Sequence, residues 1–467
     1  MRTFLFVMVL GFSLLGLGKN AVASSIYETD NLTMEMDGSL KFYVMGLHMN
    51  YPWSIIAGGL GWDSKSALMG LGEARIGFSG AWKEDIFKWQ FQLKGAAALY
   101  SQVGIMNSIG GGTGNYEPSY LFPLQYTDSD DPNVTLSSLV DRMNIKFRLG
   151  KLDFILGRQA IGLGVGFIWQ PADLLGTFSP LEIDRENKPG VDAIRINWTP
   201  GQFTEVAFIG VAGGPGCNHI SFPDSSNPLA PSVWQTVAGN SCTPGEIRYE
   251  NEHSSAAVRL RTTFDEWDIG ILGGYVRGDL VGGIFFAGSI KKFNFKGEAT
   301  FTHDMDTQSP GDPYYSSKNN FIRSVLGMEY SFDTKKSVKL VSEIYYNGFG
   351  TDDPSEYLNT MSSARTAVHG EVLNPGMLYG AVALNIELSD KIKMATMAMG
   401  NFFDASFHLS SSLDIRLDDN SSIVLGGYVP IGKKPEINLS GTGNVLKVNS
   451  EFGLYPTMIY VQYKRYY

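Results

Sequence analysis

The chain of 467 residues is short of the groups that most chemistry needs. It holds two cysteines and six histidines, and it has no run of 18 apolar residues. That last absence excludes a transmembrane helix of ordinary length. With Cys217 and Cys242 alone, no Cys-x-x-Cys-His can occur, so the chain carries no c-type haem of its own, and no zinc-type spacing exists. Charge is scarce too: 18% of residues are charged, against roughly 25% in an average chain. A disordered polyelectrolyte, which needs high net charge and few aromatics, is excluded. So is a coiled coil, because Ala, Glu, Lys and Leu do not dominate. Lys+Arg is 37 against 47 Asp+Glu, a net charge of −10, which argues against a nucleic-acid partner. What is plentiful is glycine, at 54 residues, together with 12% aromatics. The two together point to a large antiparallel β protein.

The ends of the chain carry address signals. Arg2, the uncharged apolar stretch Phe4 to Leu17 and the small-x-small site Ala21-Val22-Ala23 read as a secretory signal peptide over 1–23. Its removal takes away Arg2 and Lys19 and leaves a charge of −12. At the other end Ile459, Val461, Tyr463 and the final Tyr467 alternate with Tyr460, Gln462, Lys464 and Tyr466. A last strand ending on an aromatic resembles the terminal signal of bacterial outer-membrane barrels. Arg465 interrupts the apolar face where its side chain can snorkel to the interface.

The chain between them has period 2. In Arg142 to Leu149, Arg142, Asn144, Lys146 and Arg148 alternate with Met143, Ile145, Phe147 and Leu149. Lys88 to Lys94 and Phe407 to Leu417 repeat the pattern. Strands are expected near 38–48, 67–82, 86–101, 139–150, 151–161, 189–199, 203–212, 252–264, 266–277, 279–290, 292–303, 320–332, 336–348, 376–389, 391–403, 406–418, 420–432 and 450–467, about eighteen in all. The connections alternate between short turns, such as Lys83-Glu84-Asp85 and Lys291-Lys292, and long loops, such as 102–138, 162–188 and 213–251. Two long-loop positions, near Gly278-Asp279 and Asp404-Ala405, are short. Short periplasmic turns, longer external loops and an even strand count define an antiparallel up-and-down transmembrane β-barrel. Both termini then lie in the periplasm. The expected organisation is a signal peptide 1–23, a short periplasmic segment 24–37 and one barrel domain 38–467 in the bacterial outer membrane.

Few residues suggest catalysis or metal binding. Cys217 and Cys242 fall in one proposed loop of an oxidising compartment, where a disulfide is expected. His48, His219, His253, His303, His369 and His408 are scattered. His408 and Ser410 share a strand face, but nothing else marks an oxyanion site, so the chain is read as a non-enzyme. Asp128 to Asp131 and Asp352-Asp353 read as solvated loop acids rather than a Ca²⁺ site. No cofactor and no metal are expected.

The polar strand face is the informative feature. A charge facing lipid at mid-depth costs about 2–4 kcal/mol, so charged residues opposite apolar ones should line the bore. This assigns inward Arg75, Lys88, Lys94, Arg142, Lys146, Arg148, Arg195, Arg259, Arg261, Lys296, Arg323, Lys339, Lys393, Arg416 and Lys464. Glu73, Glu205, Glu298, Glu329, Glu343, Glu387 and Asp414 join them, leaving an excess of eight positive charges in an acidic protein. Either the bore prefers anions, or loop acids folded inside pair with these bases and leave it neutral.

The stretch Gly150-Lys151-Leu152-Asp153-Phe154-Ile155-Leu156-Gly157-Arg158-Gln159 continues through Gly162-Leu163-Gly164 and Trp169-Gln170-Pro171-Ala172-Asp173 to Gly190-Val191-Asp192-Ala193-Ile194-Arg195. This pattern resembles the alginate-export-like and related substrate-specific outer-membrane porins. The resemblance implies an eighteen-stranded barrel with a positively charged bore narrowed by loops, and it covers about 50 residues. Arg195 matches the family's Asp-x-x-Arg element. Arg158 breaks the parity rule: a bulge at Gly157 turns it inward, or it faces lipid phosphates at the rim. The 162–188 loop is apolar, with Phe167, Ile168, Trp169, Leu174, Leu175, Phe178 and Leu181, and is expected to fold into the bore or against the rim. Folded inside, its Asp173, Glu182, Asp184 and Glu186 would face the basic wall and form a constriction. The alternative is an outer cap over an open bore.

Two functions compete. One is a passive channel for small hydrophilic, preferably anionic solutes. The other is a barrel sheath around a multihaem cytochrome. Membrane lipid, lipopolysaccharide and small solutes are the expected partners, and a homo-oligomer is compatible with the sequence.

Overall fold

The computed structural model describes residues 24–49, 65–83, 86–101, 120–128, 133–176, 178, 183–214, 249, 251–305, 318–367, 370–371, 374–438 and 445–467. The signal segment 1–23, Cys217, Cys242, Glu182, His219 and His369 lie outside them.

Eighteen strands form the wall. They are β1 (Leu32–His48), β2 (Ser66–Trp82), β3 (Phe87–Tyr100), β4 (Val134–Leu149), β5 (Leu152–Gln159) and β6 (Val191–Trp198). Next come β7 (Thr204–Val211), β8 (Ser255–Phe264), β9 (Trp267–Val276), β10 (Asp279–Ile290), β11 (Phe293–Asp304) and β12 (Asn320–Ser331). The last are β13 (Val338–Asn347), β14 (Leu378–Ser389), β15 (Ile392–Asn401), β16 (Ser406–Arg416), β17 (Ser421–Ile431) and β18 (Thr457–Tyr466). Each pairs antiparallel with its chain neighbours. β18 closes the sheet onto β1, with Lys41 opposite Lys464 and Ser39 opposite Tyr466. The ladder ends where Gly38 and Tyr467 exchange two backbone hydrogen bonds of 3.1 and 2.9 Å. Closure removes the sheet edges that would otherwise recruit other chains.

All eighteen expected strands are present, and their bounds differ most at three places. β1 begins at Leu32, and Ser24–Glu28 pairs alongside it. The alternation Thr33-Met34-Glu35-Met36-Asp37 continues the strand period through Gly38. β4 starts at Val134, and a short strand Gln125–Asp128 pairs with its upper half. β18 starts only at Thr457, because Pro456 has no N–H for the ladder.

Phe42, Val44, Ile194, Ile271, Ile284, Leu326, Val382 and Val461 are large apolar residues left exposed on one face. An apolar belt around a closed barrel faces lipid. β1 and β2 have 17 residues each, more than the ~9–11 needed to cross, so this hairpin projects beyond the membrane. The external connection at Arg277-Gly278 is a tight turn in which both residues are left-handed, φ 50° and 94°, the geometry that two-residue hairpins favour.

Candidate functional site: the crossed bore

The loop between β5 and β6 runs inside the barrel. Its first part lies along the β6–β10 wall, where Ile161, Leu163, Leu174 and Leu175 pack with Val191, Ile209, Leu272 and Val281. Trp169 reaches the β13–β14 wall, stacked on Tyr345 at 5.4 Å and donating to Asn374 Oδ1 at 3.0 Å. Asp173 accepts from Leu163 N at 3.1 Å and pairs with Lys188 at 2.5 Å. The second part crosses to β1 and β18. There Asp184 meets Lys41 Nζ at 2.6 Å, Tyr43 OH at 2.8 Å and Gln462 Nε2 at 3.3 Å. Glu186 accepts from Lys41, Lys464 and Tyr466. Lys41 and Lys464 each sit seven residues below the outer ends of their strands, about 23 Å along a strand. The loop is therefore deep in the bore rather than a cap. The return leg is held at β4, where Arg142 donates to Lys188 O and Gly190 N donates to Asp141.

Burial pushes the Asp184 carboxyl up, but the Lys41 charge and the bonds from Lys41, the Glu186 amide and Tyr43 outweigh it and hold it at about 2. Glu186 is lowered as well: burial opposes ionisation, and the Lys41, Lys464 and Tyr466 donors overcome it.

Every base assigned inward from sequence lies on the face opposite the exposed apolar belt, and most of them have acidic partners. Arg75 pairs with Glu73 at 2.7 Å and Asp141 at 2.6 Å; Lys94 reaches Glu73 at 3.4 Å, and Arg142 reaches Asp141 at 2.9 Å. Lys146 and Arg148 share Asp153 at 2.8 and 2.6 Å. Around β6–β8 the balance tips. Arg195 and Arg261 share Glu205 at 3.5 and 3.8 Å. Arg261 also lies 3.9 Å from Asp268. Arg259 stacks on Phe285 at 4.2 Å, and its Nε has no hydrogen-bond partner among the described residues. Arg416 is exposed at the periplasmic end of β16.

The Gly-Arg-Gln region resolves differently from its sequence reading. Pairing runs through Gly157 without a register shift, at φ 107°. The bulge lies in the neighbouring strand: Gln92 faces Arg142 while Leu93 faces Val140, leaving Asp141 unpaired. That extra residue aims Asp141 at both Arg75 and Arg142. Arg158 faces neither lumen nor lipid. It is 1% exposed, bound to Asp192 at 2.7 and 3.0 Å, and roofed by Tyr120 at 3.8 Å. It also donates to Val140 O at 2.7 Å and Phe122 O at 2.5 Å.

A second cluster ties the outer loops together. After the short helices α1 (Tyr357–Ser362) and α2 (Ala364–Ala367), Glu371 binds Arg323 at 2.6 Å, and Arg365 binds Asp279 and Asp304. Burial opposes ionisation of Glu371, but the Arg323 and Arg365 charges lower it. Glu451, fully buried, accepts from Tyr379 OH at 2.5 Å, Asn401 at 2.9 Å and Asn374 at 3.0 Å. Burial still pushes Glu451 up to about 7. Asn374 thus joins this cluster to Trp169 of the inner loop.

His408 is packed against Tyr428, Phe452 and Tyr455, and among the described residues its Nδ1 has no partner, so it makes no dyad with Ser410 through that atom. Asp353 caps the turn before α1 by accepting from Ser355 N. The sequence reading missed Lys41, Asp141 and Asp153. Lys41 and Asp153 obeyed the alternation rule that named the others. Asp141 did not, because a bulge is silent in sequence.

No protein-family model and no curated protein matches the sequence. Solved structures do match in fold. OccAB3 of Acinetobacter baumannii aligns over 93% of this chain and 99% of its own, with TM-score 0.51 and 8% identity. OccD3 (OpdP) of Pseudomonas aeruginosa aligns over 95% and 93%, with TM-score 0.49 and 7% identity. A BenF-like porin of Pseudomonas fluorescens aligns over 93% and 99%, with TM-score 0.49 and 8% identity. At these identities the shared property is the fold. The chain has the fold of these proteins, a closed antiparallel transmembrane-type β-barrel. It has eighteen strands and an inner loop crossing its lumen.

Proposed function

We propose that the protein is a passive channel for small hydrophilic solutes, with a preference for anions. The observation that carries this reading is local. Arg195, Arg259 and Arg261 crowd around Glu205, and Arg259 has no carboxylate within 4 Å among the described residues. An excess of positive charge therefore stands at β6–β8, where three arginines surround one glutamate. Fixed positive charge in a narrow aqueous path raises local anion concentration, and salt weakens the effect as the screening length falls from ~10 Å at 0.1 M to ~3 Å at 1 M. The opposite sector of wall, β14–β16, is uncharged at mid-height, with Ala383, Met397 and Ser410.

The reading is tested in a planar bilayer under a KCl gradient. A reversal potential of chloride-selective sign is expected at low salt, moving toward zero selectivity at high salt. Cation selectivity at low salt rejects it. The cytochrome-sheath alternative draws no support from the geometry, because the inner loop crosses the space a folded cytochrome would need.

A further inference from the structure

Two wall carboxylates are committed to the backbone of the inner loop. Glu343 on β13 takes three successive amides: Oε1 accepts from Phe167 N at 2.7 Å, and Oε2 accepts from Ile168 N at 2.9 Å and Trp169 N at 3.0 Å. Glu298 on β11 accepts from Val165 N at 2.6 Å and Ala172 N at 3.1 Å. Each side chain is 4% exposed. One turn thus gives five N–H groups to two acids. Successive backbone amides that converge on one acceptor form a nest.

The wall is shaped to receive this turn. Gly327 on β12 lies between the two acids, and a Cβ there would come within 2.9 Å of Glu343 Cγ and of Phe167 Cδ2. Gly166 makes the turn itself possible, since its Cβ would fall 1.9 Å from Trp169 O. The loop's other anchor, at β1 and β18, has the opposite polarity, with wall cations holding loop acids.

We propose that Glu298 and Glu343 are the positioning residues of the constriction: they pin the turn around Gly166–Ala172 to the β11–β13 wall and so set the open cross-section, and Gly327 belongs to the same device. The inference rests on the channel reading, since only an open path has a cross-section to set. It does not depend on which ion passes.

The test uses full-length Glu343→Ala, the double variant Glu298→Ala/Glu343→Ala, and Gly327→Val, which keeps both acids but fills the recess. Correct folding is checked by heat-modifiable gel mobility. Folded variants should show raised single-channel conductance and open-state noise, with Glu343→Gln between wild type and Glu343→Ala. Chymotrypsin should cut after Phe167 or Trp169 in the variants and not in wild type. Wild-type conductance and protease resistance in the folded double variant overturn the proposal. A silent wild-type barrel rejects the channel reading alone, and the cleavage pattern then decides the anchor by itself.

Discussion

Lys41 and Asp184 stand 143 positions apart in the chain and meet at 2.6 Å inside the barrel. Lys41 is 1% exposed. This pair fixes the far end of the inner loop to the seam where the first and last strands join.

Replacing Lys41 by Met should free that end. Breaking a buried pair strands the remaining charge and costs about 3 kcal/mol. The cost should fall on the loop, not the wall. Heat-modifiable mobility should be unchanged, while protease cleavage near Arg185 appears in the folded variant. An uncut loop would show that Glu186, through Lys464 and Tyr466, suffices.

Acid should release the same anchor. The Asp184 carboxyl is depressed to about 2 from an ordinary 3.8. Its contribution is present above the ordinary value and lost as pH falls through the depressed one. Loop docking, followed by conductance, should therefore hold from pH 7 to about 4 and fail toward pH 2.

Glu451 should respond in the opposite sense. Its carboxyl is raised to about 7 from 4.5, so the neutral form is favoured in the folded loop. The contribution is full below pH 4.5 and declines as pH rises through 7. The protection factors of the amides around Glu451, corrected for intrinsic exchange, should fall between pH 5 and 8, and Glu451→Gln should remove that fall.

Arginines that look alike in sequence should differ in effect. Among the described residues Arg259 has no carboxylate partner, whereas Arg148 is paired with Asp153. Arg259→Gln should shift the reversal potential toward potassium, and Arg148→Gln should shift it less. Equal shifts would mean that total wall charge, not local pairing, governs selectivity.

Arg158→Lys should destabilise the barrel without changing conductance. The guanidinium serves both Asp192 oxygens and two backbone carbonyls, and an ammonium cannot reproduce that fork. A loss of about 1–3 kcal/mol for the acceptors left unsatisfied should appear as a lower temperature of unfolding on gels.

The strands were legible because lipid on one side and water on the other force a strict alternation, and charges such as Lys94 and Arg195 declare which face is which. The same rule reached Glu298 and Glu343 as wall residues. It said nothing of their partners, because backbone amides of a loop carry no side-chain signature. Arg158 misled for a related reason. Its partner Asp192 and its roof Tyr120 cover it on the outer face, which parity alone reads as lipid. The bulge at Asp141 was likewise hidden, since one unpaired residue leaves the composition unchanged.

The two-bond clasp between Gly38 and Tyr467 sets an order of events in making the molecule. The strand that seals the wall follows all seventeen others in the chain and pairs with the first of them. Until it arrives, β1 and β17 each present a bare row of donors and acceptors. The unfinished sheet must be sheltered for the whole of its synthesis, and a nascent chain that stops a few residues early is left with an unzipped seam.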